Sequence, residues 1–294
     1  MTTRRIQVLE HGFVELVDVF GTDQTVVDAA RVSYEMSTSA LSKKSSTRDL
    51  LRYLLRHWHT GPFEMPVLRF RIHAPLSTAR QWMRHRTWSY AEASARYAPM
   101  SRHVQIPSEW RRPSATNKQG SSGVFEDARL TEAVREHAQN AHDLYDFLVD
   151  AGVAREMARD VLPVGIYTTF MAQANLHNLL RFERLRLDGT AQSEIRSFGH
   201  AIALLTQEAF PLTWQAFVDY QLESVTFSRM EGQVLGAMLE ALMVDTGDKD
   251  SAAVAIGDLL AKATAGTDSQ TTSGEVAEFV AKIRKLLNYE ISEI

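Results

Sequence analysis

The 294-residue chain contains no cysteine, which excludes disulfides, thiolate metal sites and any mechanism built on a cysteine nucleophile. It also lacks G-x-G-x-x-G and G-x-x-x-x-G-K-[ST], so neither a dinucleotide fingerprint nor a P-loop is at hand to cradle phosphates, and a nucleotide has to be held by side chains. No apolar run approaches the length of a membrane span. The opening residues M-T-T-R-R-I-Q-V-L-E-H-G-F-V-E-L carry charges where a secretory signal needs an apolar stretch. A cytoplasmic location without membrane partners is therefore expected. There is no basic excess either, since the formal net charge is -4; that argues against nucleic acid as a general partner. His57 and His59 are two residues apart, which puts them on different helix faces, and no third ligand has suitable spacing, so no metal site is expected.

Positive charge is instead concentrated. Arg84 to Arg96 reads R-H-R-T-W-S-Y-A-E-A-S-A-R, and residues 80 to 103 hold five arginines against one acidic residue. Guanidinium forks match phosphate oxygens, and Ser94 can add a hydroxyl donor, so a phosphorylated ligand is expected here. The bland alternative is a solvated basic helix face, disfavoured by the interleaved Trp88, Tyr90 and Tyr97. A second stretch, Asn175 to Arg186, reads as a helix with Leu176, Leu179, Leu180 and Phe182 on its apolar face and Asn175, Arg181 and Arg186 on its polar side. The competing account of these arginines is a surface stripe paired with Glu183 and Glu194. A third, His59 to Glu64 (H-T-G-P-F-E), reads as a helix stop that leaves His59 and Glu64 on a loop.

Alternation over Gly12–Phe20 and over Leu68, Phe70 and Ile72 predicts two strands, the second ending near Pro75, and Ile166–Met171 predicts a third. A helix capped by Asp23 is expected to carry Ser33 near its end. Another, capped by Ser46 or Thr47 and stopped by Gly61-Pro62, presents Leu50, Leu51, Leu54 and Leu55. The arginine cluster is expected to start on a helix following the second strand. Residues 112–123 read as a mobile surface loop, Leu130 to Leu148 as a long helix ended by Gly152, and 175–187 and 191–210 as further helices, with Pro211 opening a short one. Beyond Leu222 an amphipathic helix from Val225 to Leu242 and shorter helical pieces, broken at T-G-D-K-D-S and T-A-G-T-D-S-Q-T-T-S-G, form an appendage. The expected class is α+β: helix-rich with a small central antiparallel sheet, residues 1–220 as one domain and 221–294 as a C-terminal helical extension.

Arg84-His85-Arg86 followed by Ser94 after seven residues, with G-F-V-E-L-V-D-V-F-G, A-A-R-V-S-Y (Ala29–Tyr34), H-T-G-P-F-E, A-R-Q-W-M-R-H-R (Ala79–Arg86), V-L-P (Val161–Pro163) and Asn175–Arg186, resembles the flavin-dependent thymidylate synthase family across roughly residues 8–220. The resemblance implies C5-methylation of dUMP, and of UMP in members from nucleoside-antibiotic pathways. Methylene-tetrahydrofolate would be the one-carbon donor, reduced FAD the hydride source and NADPH the reductant, in a homotetramer with active sites between subunits. It implies that Gln81, Ser94, Ala95 and Arg96, with Arg159 from a neighbouring subunit, hold the nucleotide, that Arg84 and Arg186 face the uracil, and that His59 lies by the flavin ring. Ser33, Glu64, Arg84, His85, Arg86, Glu92, Asn175 and Arg181 would contact FAD. The missing cysteine fits, because such a family activates the uracil by charged donors instead of by thiolate addition. Ala91, Gly61, Met65, Arg181 and Gly189-Thr190 depart from the family pattern, which implies a roomier site with a weaker flavin grip. A UMP-preferring methylase of secondary metabolism, and a non-enzymatic nucleotide- or RNA-binding module using the arginine and aromatic cluster, are the alternatives.

Overall fold

The computed structural model describes residues 4–35, 46–97, 99–107, 109–115, 120–242, 249–265 and 272–287. In chain order the elements are β1 (Arg4–Val8), β2 (Gly12–Phe20), α1 (Asp23–Glu35), α2 (Thr47–Arg56), β3 (Val67–Pro75), α3 (Leu76–Trp82), β4 (Ser89–Glu92), β5 (Trp110–Pro113), β6 (Ser121–Phe125), α4 (Ala128–Asp150), α5 (Arg155–Ala158), β7 (Tyr167–Asn175), α6 (Leu176–Arg186), α7 (Ser193–Ala209), α8 (Pro211–Phe217), α9 (Arg229–Leu242), α10 (Lys249–Thr264) and α11 (Ser273–Leu287). Short 3-10 turns span Gly61–Glu64 and Arg159–Val161, and a π-helical turn spans Val218–Leu222. The helix-rich α+β class stands.

The chain divides into two compact units, residues 1–47 with 57–211, and residues 48–56 with 212–294. In the first, β1-β2-β3-β7-β4 form one sheet, antiparallel throughout. Leu68, Phe70, Ile72 and Ala74 of β3 are buried while Arg69 and Arg71 are exposed, as period-two alternation requires. α7 covers β1 and β2, and α3 packs on β3 and β7. Trp82, Phe170, Phe182 and Phe198 fill the space beneath and are almost wholly buried. Gly12 permits the close approach at the sheet, since a Cβ there would lie 2.8 Å from Phe198 Cζ and 2.7 Å from the Val8 carbonyl.

Several elements differ from the sequence expectation. Arg4–Val8 is a strand although it begins with two arginines, because it is an edge strand held by pairing with β2. Its exposed Arg5 reaches Glu15 on that neighbour at 2.8 Å. The helix after Thr47 ends at Arg56, not at Gly61-Pro62, which instead open a 3-10 turn. Residues 110–113 and 121–125 pair as a hairpin where a loop was expected, and residues 116–119 lie outside the described residues. Val225 and Phe227 precede α9, and most of the two expected breaks downstream of it lies outside the described residues.

In the second unit, the amphipathic α2 buries Leu51, Leu54 and Leu55. Its Arg52 guanidinium is buried and donates to Glu275 at 2.6 Å, to Asp219, and to the Tyr220 hydroxyl at 2.9 Å. Arg56 binds Glu278 and, at 3.2 Å, Glu275. α9 and α10 pack on α11.

Candidate active site

The cluster starts on a helix after β3 as expected, with Arg80 in the last turn of α3, but α3 stops at Trp82 and Arg84-His85-Arg86 lies in the turn that follows it. The reason is aromatic packing. Trp82 stacks on Phe182 with ring centroids 4.9 Å apart, and Trp88 packs on the same Phe182 at 5.0 Å. Continuing the helix for six residues would turn residue 88 about 120° away from residue 82, so both indoles can be buried on one partner only if the helix ends. The turn is closed by backbone bonds from Met83 to Ala79 and from His85 to Trp82, each 2.9 Å. The Tyr90 hydroxyl lies 3.0 Å from the Trp82 carbonyl and 3.1 Å from that of His85, donating its single proton to one at a time. Burial raises the Tyr90 pKa above its ordinary value, so this tether stays protonated.

β4 then pairs with β7, placing Ser89 opposite Gln173 and Glu92 opposite Phe170. Ala91 is exposed on this edge strand, beside a small cleft of about 180 Å3 that also involves Arg69, Met171 and Gln173. Glu92 accepts from the Thr168 hydroxyl at 2.8 Å. Past the strand, Ser94 Oγ lies 3.4 Å from both the backbone N and Nε of Arg96, whose guanidinium sits over the Tyr97 ring; Ala95 between them is buried.

α6 enters from β7, and the Asn175 side-chain Oδ1 caps it by accepting from the Asn178 backbone N–H at 2.9 Å. At its far end Arg186 is half-buried. Its Nε donates to His85 Nε2 at 3.0 Å, and its Nη2 lies 3.4 Å from the Gln81 carbonyl. Gly199 on α7 lets the two helices meet here, because a Cβ would stand 3.3 Å from Arg186 Cβ. Burial first, then the Arg186 and Arg181 cations, pull His85 down to about 4. The imidazole is therefore neutral at pH 7, with Nε2 as acceptor and the proton on Nδ1. Burial also lowers Arg186 from its ordinary value, opposed by Tyr90.

The structure rules out the surface-stripe account of the α6 arginines. Glu183 is fully buried, with no hydrogen-bond partner for either oxygen, and Glu194 pairs with Arg111 at 2.8 Å. Arg84, Arg86, Arg96 and Arg181 are exposed. Among the described residues none of these four makes an ion pair, whereas Arg5, Arg52, Arg56, Arg102, Arg111 and Arg129 all do.

The Gly61–Glu64 turn packs on both α1 and α6, bringing Glu64 beside the helices that carry Ser33 and Arg181. The Ser33 side chain lies outside the described residues. His59 is exposed on the loop before that turn, its ring centroid 6.1 Å from His57. Arg159 is exposed on its 3-10 turn against α4 and is joined to the cluster by no hydrogen bond among the described residues. Two participants escaped the sequence reading. His177 is depressed by burial, lifted back by Glu64 and lowered again by Arg181, so it lies between these two site candidates; its position four residues before Arg181 was the available signal. Gln192 accepts from Gln81 Nε2 at 2.5 Å, and nothing local in the sequence marks it.

A small antiparallel sheet whose edge strand and bordering helices carry exposed arginines near a neutral histidine has the makings of an anion-binding site. The family described as thymidylate synthase complementing protein matches residues 15–212. Flavin-dependent thymidylate synthases of Thermus thermophilus and Anaplasma marginale are 44% and 41% identical, over 80% and 81% of this chain and 86% and 82% of theirs. A solved structure of the UMP/dUMP methylase PolB from Streptomyces cacaoi, bound with 5-Br UMP, superposes with a TM-score of 0.65 at 32% identity, covering 74% of this chain and 99% of that one. The chain belongs to the flavin-dependent thymidylate synthase family.

Proposed function

We propose that the protein methylates C5 of a uridylate, dUMP or UMP, with methylene-tetrahydrofolate as one-carbon donor, FAD as the flavin and NADPH as the reductant. The observation that carries this reading is the set of exposed arginines without ion pairs among the described residues, Arg84 and Arg86 flanking His85, Arg181 acting on the same imidazole and Arg96 beyond β4, together with the half-buried Arg186 that holds His85. Exposed guanidinium groups without carboxylate partners are free to take up an anion.

The donor set suits a flavin dinucleotide. Arg84, Arg86 and Arg181, together with neutral His85, Glu64, Glu92, Ser33 and the Asn175 amide, would hold it, the guanidinium groups meeting its pyrophosphate. When bound, the flavin supplies the hydride that converts the transferred methylene to methyl. Gln81, Ser94, Ala95 and Arg96, with Arg159 of a neighbouring copy, would hold the nucleotide phosphate in a homotetramer.

Arg186 and Arg84 would face the uracil carbonyls. C5 is a weak nucleophile, and its attack on the one-carbon unit is helped by any cation that stabilises negative charge drawn onto those oxygens. Arg186 is suited to it: its Nε is fixed by His85 and its Nη2 by the Gln81 carbonyl, so the fork is ordered before the substrate arrives. Keeping His85 neutral matters, because an imidazolium could not accept from Arg186. His59, exposed on its loop, would close over the ring system.

No helix among the described residues is long and apolar enough to cross a membrane, in keeping with a cytoplasmic enzyme. Catalysis is assigned to residues 1–220, with 221–294 as an extension. Ala91 leaves the edge of β4 without an amide, which favours tolerance of the extra hydroxyl of UMP. Incubating the protein with dUMP or UMP, methylene-tetrahydrofolate, FAD and NADPH should yield the 5-methyl nucleotide. Absence of product from both would refute the function, and the relative rates assign the sugar.

A further inference from the structure

Gln81 is gripped at two points. Arg186 reaches its backbone carbonyl at 3.4 Å, and its side-chain Nε2 donates to Gln192 Oε1 at 2.5 Å. Gln192 precedes α7 without capping it, on a turn that is itself braced. Asp188 Oδ1 accepts from the Thr190 backbone at 2.8 Å, and Arg196 Nη1 donates to the Gly189 carbonyl at 3.0 Å. Behind Gln192, burial alone would raise the Glu194 pKa, but hydrogen bonds from Arg111, its own backbone N–H and the Gln192 side chain outweigh burial and hold it below its ordinary value. Arg111 is steadied in turn by Ser121 at 2.9 Å. Arg111, Ser121, Gln192 and Glu194 line one cleft of about 580 Å3. The β5–β6 hairpin thus reaches Glu194 through Arg111, and Glu194 borders the same cleft as Gln192, which holds Gln81.

A carboxamide carries two N–H donors on one side and a carbonyl acceptor on the other, and a flip exchanges them within the same volume. We propose that Gln192 is a positioning residue for nucleotide binding: by accepting one N–H of Gln81, it fixes the amide so that the other N–H, and not the carbonyl, meets the nucleotide phosphate. This rests on Gln81 being a phosphate ligand of the uridylate methylase. Without the acceptor the amide turns, presents oxygen to oxygen for part of the time, and must be ordered when the nucleotide binds. Arg186 keeps its hold on His85, so the loss falls on nucleotide affinity and not on chemistry.

Gln192→Met keeps the side-chain shape and removes the acceptor, and the exposure of Gln192 makes misfolding of the variant unexpected. The KM for the nucleotide should rise about three- to tenfold, the scale of one net hydrogen bond, while kcat, the KM for methylene-tetrahydrofolate and the bound-flavin absorbance hold. In a Gln81→Ala background the same substitution should add nothing. An unchanged nucleotide KM, a parallel rise in both KM values, or an equal penalty in the Gln81→Ala background would each overturn the proposal. If the parent protein fails to methylate, the function is what falls; calorimetric dUMP affinity of parent and variant then decides the role of Gln192 on its own.

Discussion

Replacing Arg186 by alanine separates binding from chemistry. A guanidinium has five N–H donors; one goes to His85 and one to the Gln81 carbonyl, which leaves about three for a ligand. A unit charge roughly 4 Å from developing negative charge, at an effective dielectric of about 20, is worth about 4 kcal/mol. That is close to three decades in rate at about 1.4 kcal/mol per decade, and removal of a single oxyanion-stabilising donor costs about two to three decades elsewhere. Arg186→Ala is therefore expected to lower kcat about 10²–10³-fold, with flavin absorbance retained and dUMP still binding through its phosphate. Arg186→Lys should fall between the two, since a point charge remains but the fork that holds His85 is gone. Turnover is followed by chromatography of the 5-methyl nucleotide. A flavin-loaded, nucleotide-binding alanine variant that works within about threefold of its parent would refute electrostatic activation of the uracil by this residue.

Glu183 is fully buried and its pKa is raised well above 4.5 by burial alone; a folded pKa above the unfolded one gives stability that is complete below about pH 4.5 and lost as pH rises toward the folded value. Glu183→Leu should therefore raise Tm by more at pH 8 than at pH 5, and an equal gain at both would show that the carboxyl finds a charged-state partner. Arg52→Ala, which leaves Glu275 and Asp219 beside a vacated cation site, should destabilise the protein by about 3–5 kcal/mol in urea unfolding, whereas a loss under about 1 kcal/mol would class the pair with surface ion pairs. Ala91→Asn restores a donor and an acceptor on β4 and should tighten FAD by up to about tenfold, read by quenching of flavin fluorescence; weaker binding would mean that the site has adapted around the small residue.

What could be read from the sequence was whatever local period or chain chemistry decides. β3 alternates because one face is buried, β2 does so only up to Val14 before its register shifts between Leu16 and Asp18, and α4 shows its stripe, so these elements were legible from residues alone. β1 and β4 were not, because Arg4–Val8 and Ser89–Glu92 are short edge strands whose extended form is imposed by pairing with β2 and β7. The site was legible in its arginines and illegible in its polar connections. Arg186, His85, Gln81 and Gln192 meet across separations of 101, 105 and 111 residues, and no spacing rule reaches that far. The competing account of the α6 arginines rested on Glu183, a carboxylate two and three residues from Arg181 and Arg186, yet its position beside Phe182 turns it into the core.

Pairing, more than the number of arginines, separates the two kinds of basic site in this chain. In the C-terminal unit Arg52 and Arg56 are buried with Asp219, Glu275 and Glu278. The carboxylates there cancel the field the arginines would project, so that cluster can fasten helices but cannot recruit an anion. Around α3, β4 and α6 the arrangement differs: Arg84, Arg86, Arg96 and Arg181 are exposed and make no ion pair among the described residues, and burial pushes the Glu183 carboxyl well above the usual carboxylate range. Burial that disfavours the charged form of a carboxyl near the cations weakens its opposition to their field. A single negative charge introduced among them, as in Ala95→Asp at a buried position, should accordingly weaken nucleotide binding far more than its volume suggests. The same added charge on the Arg52 cluster would leave nucleotide binding unchanged.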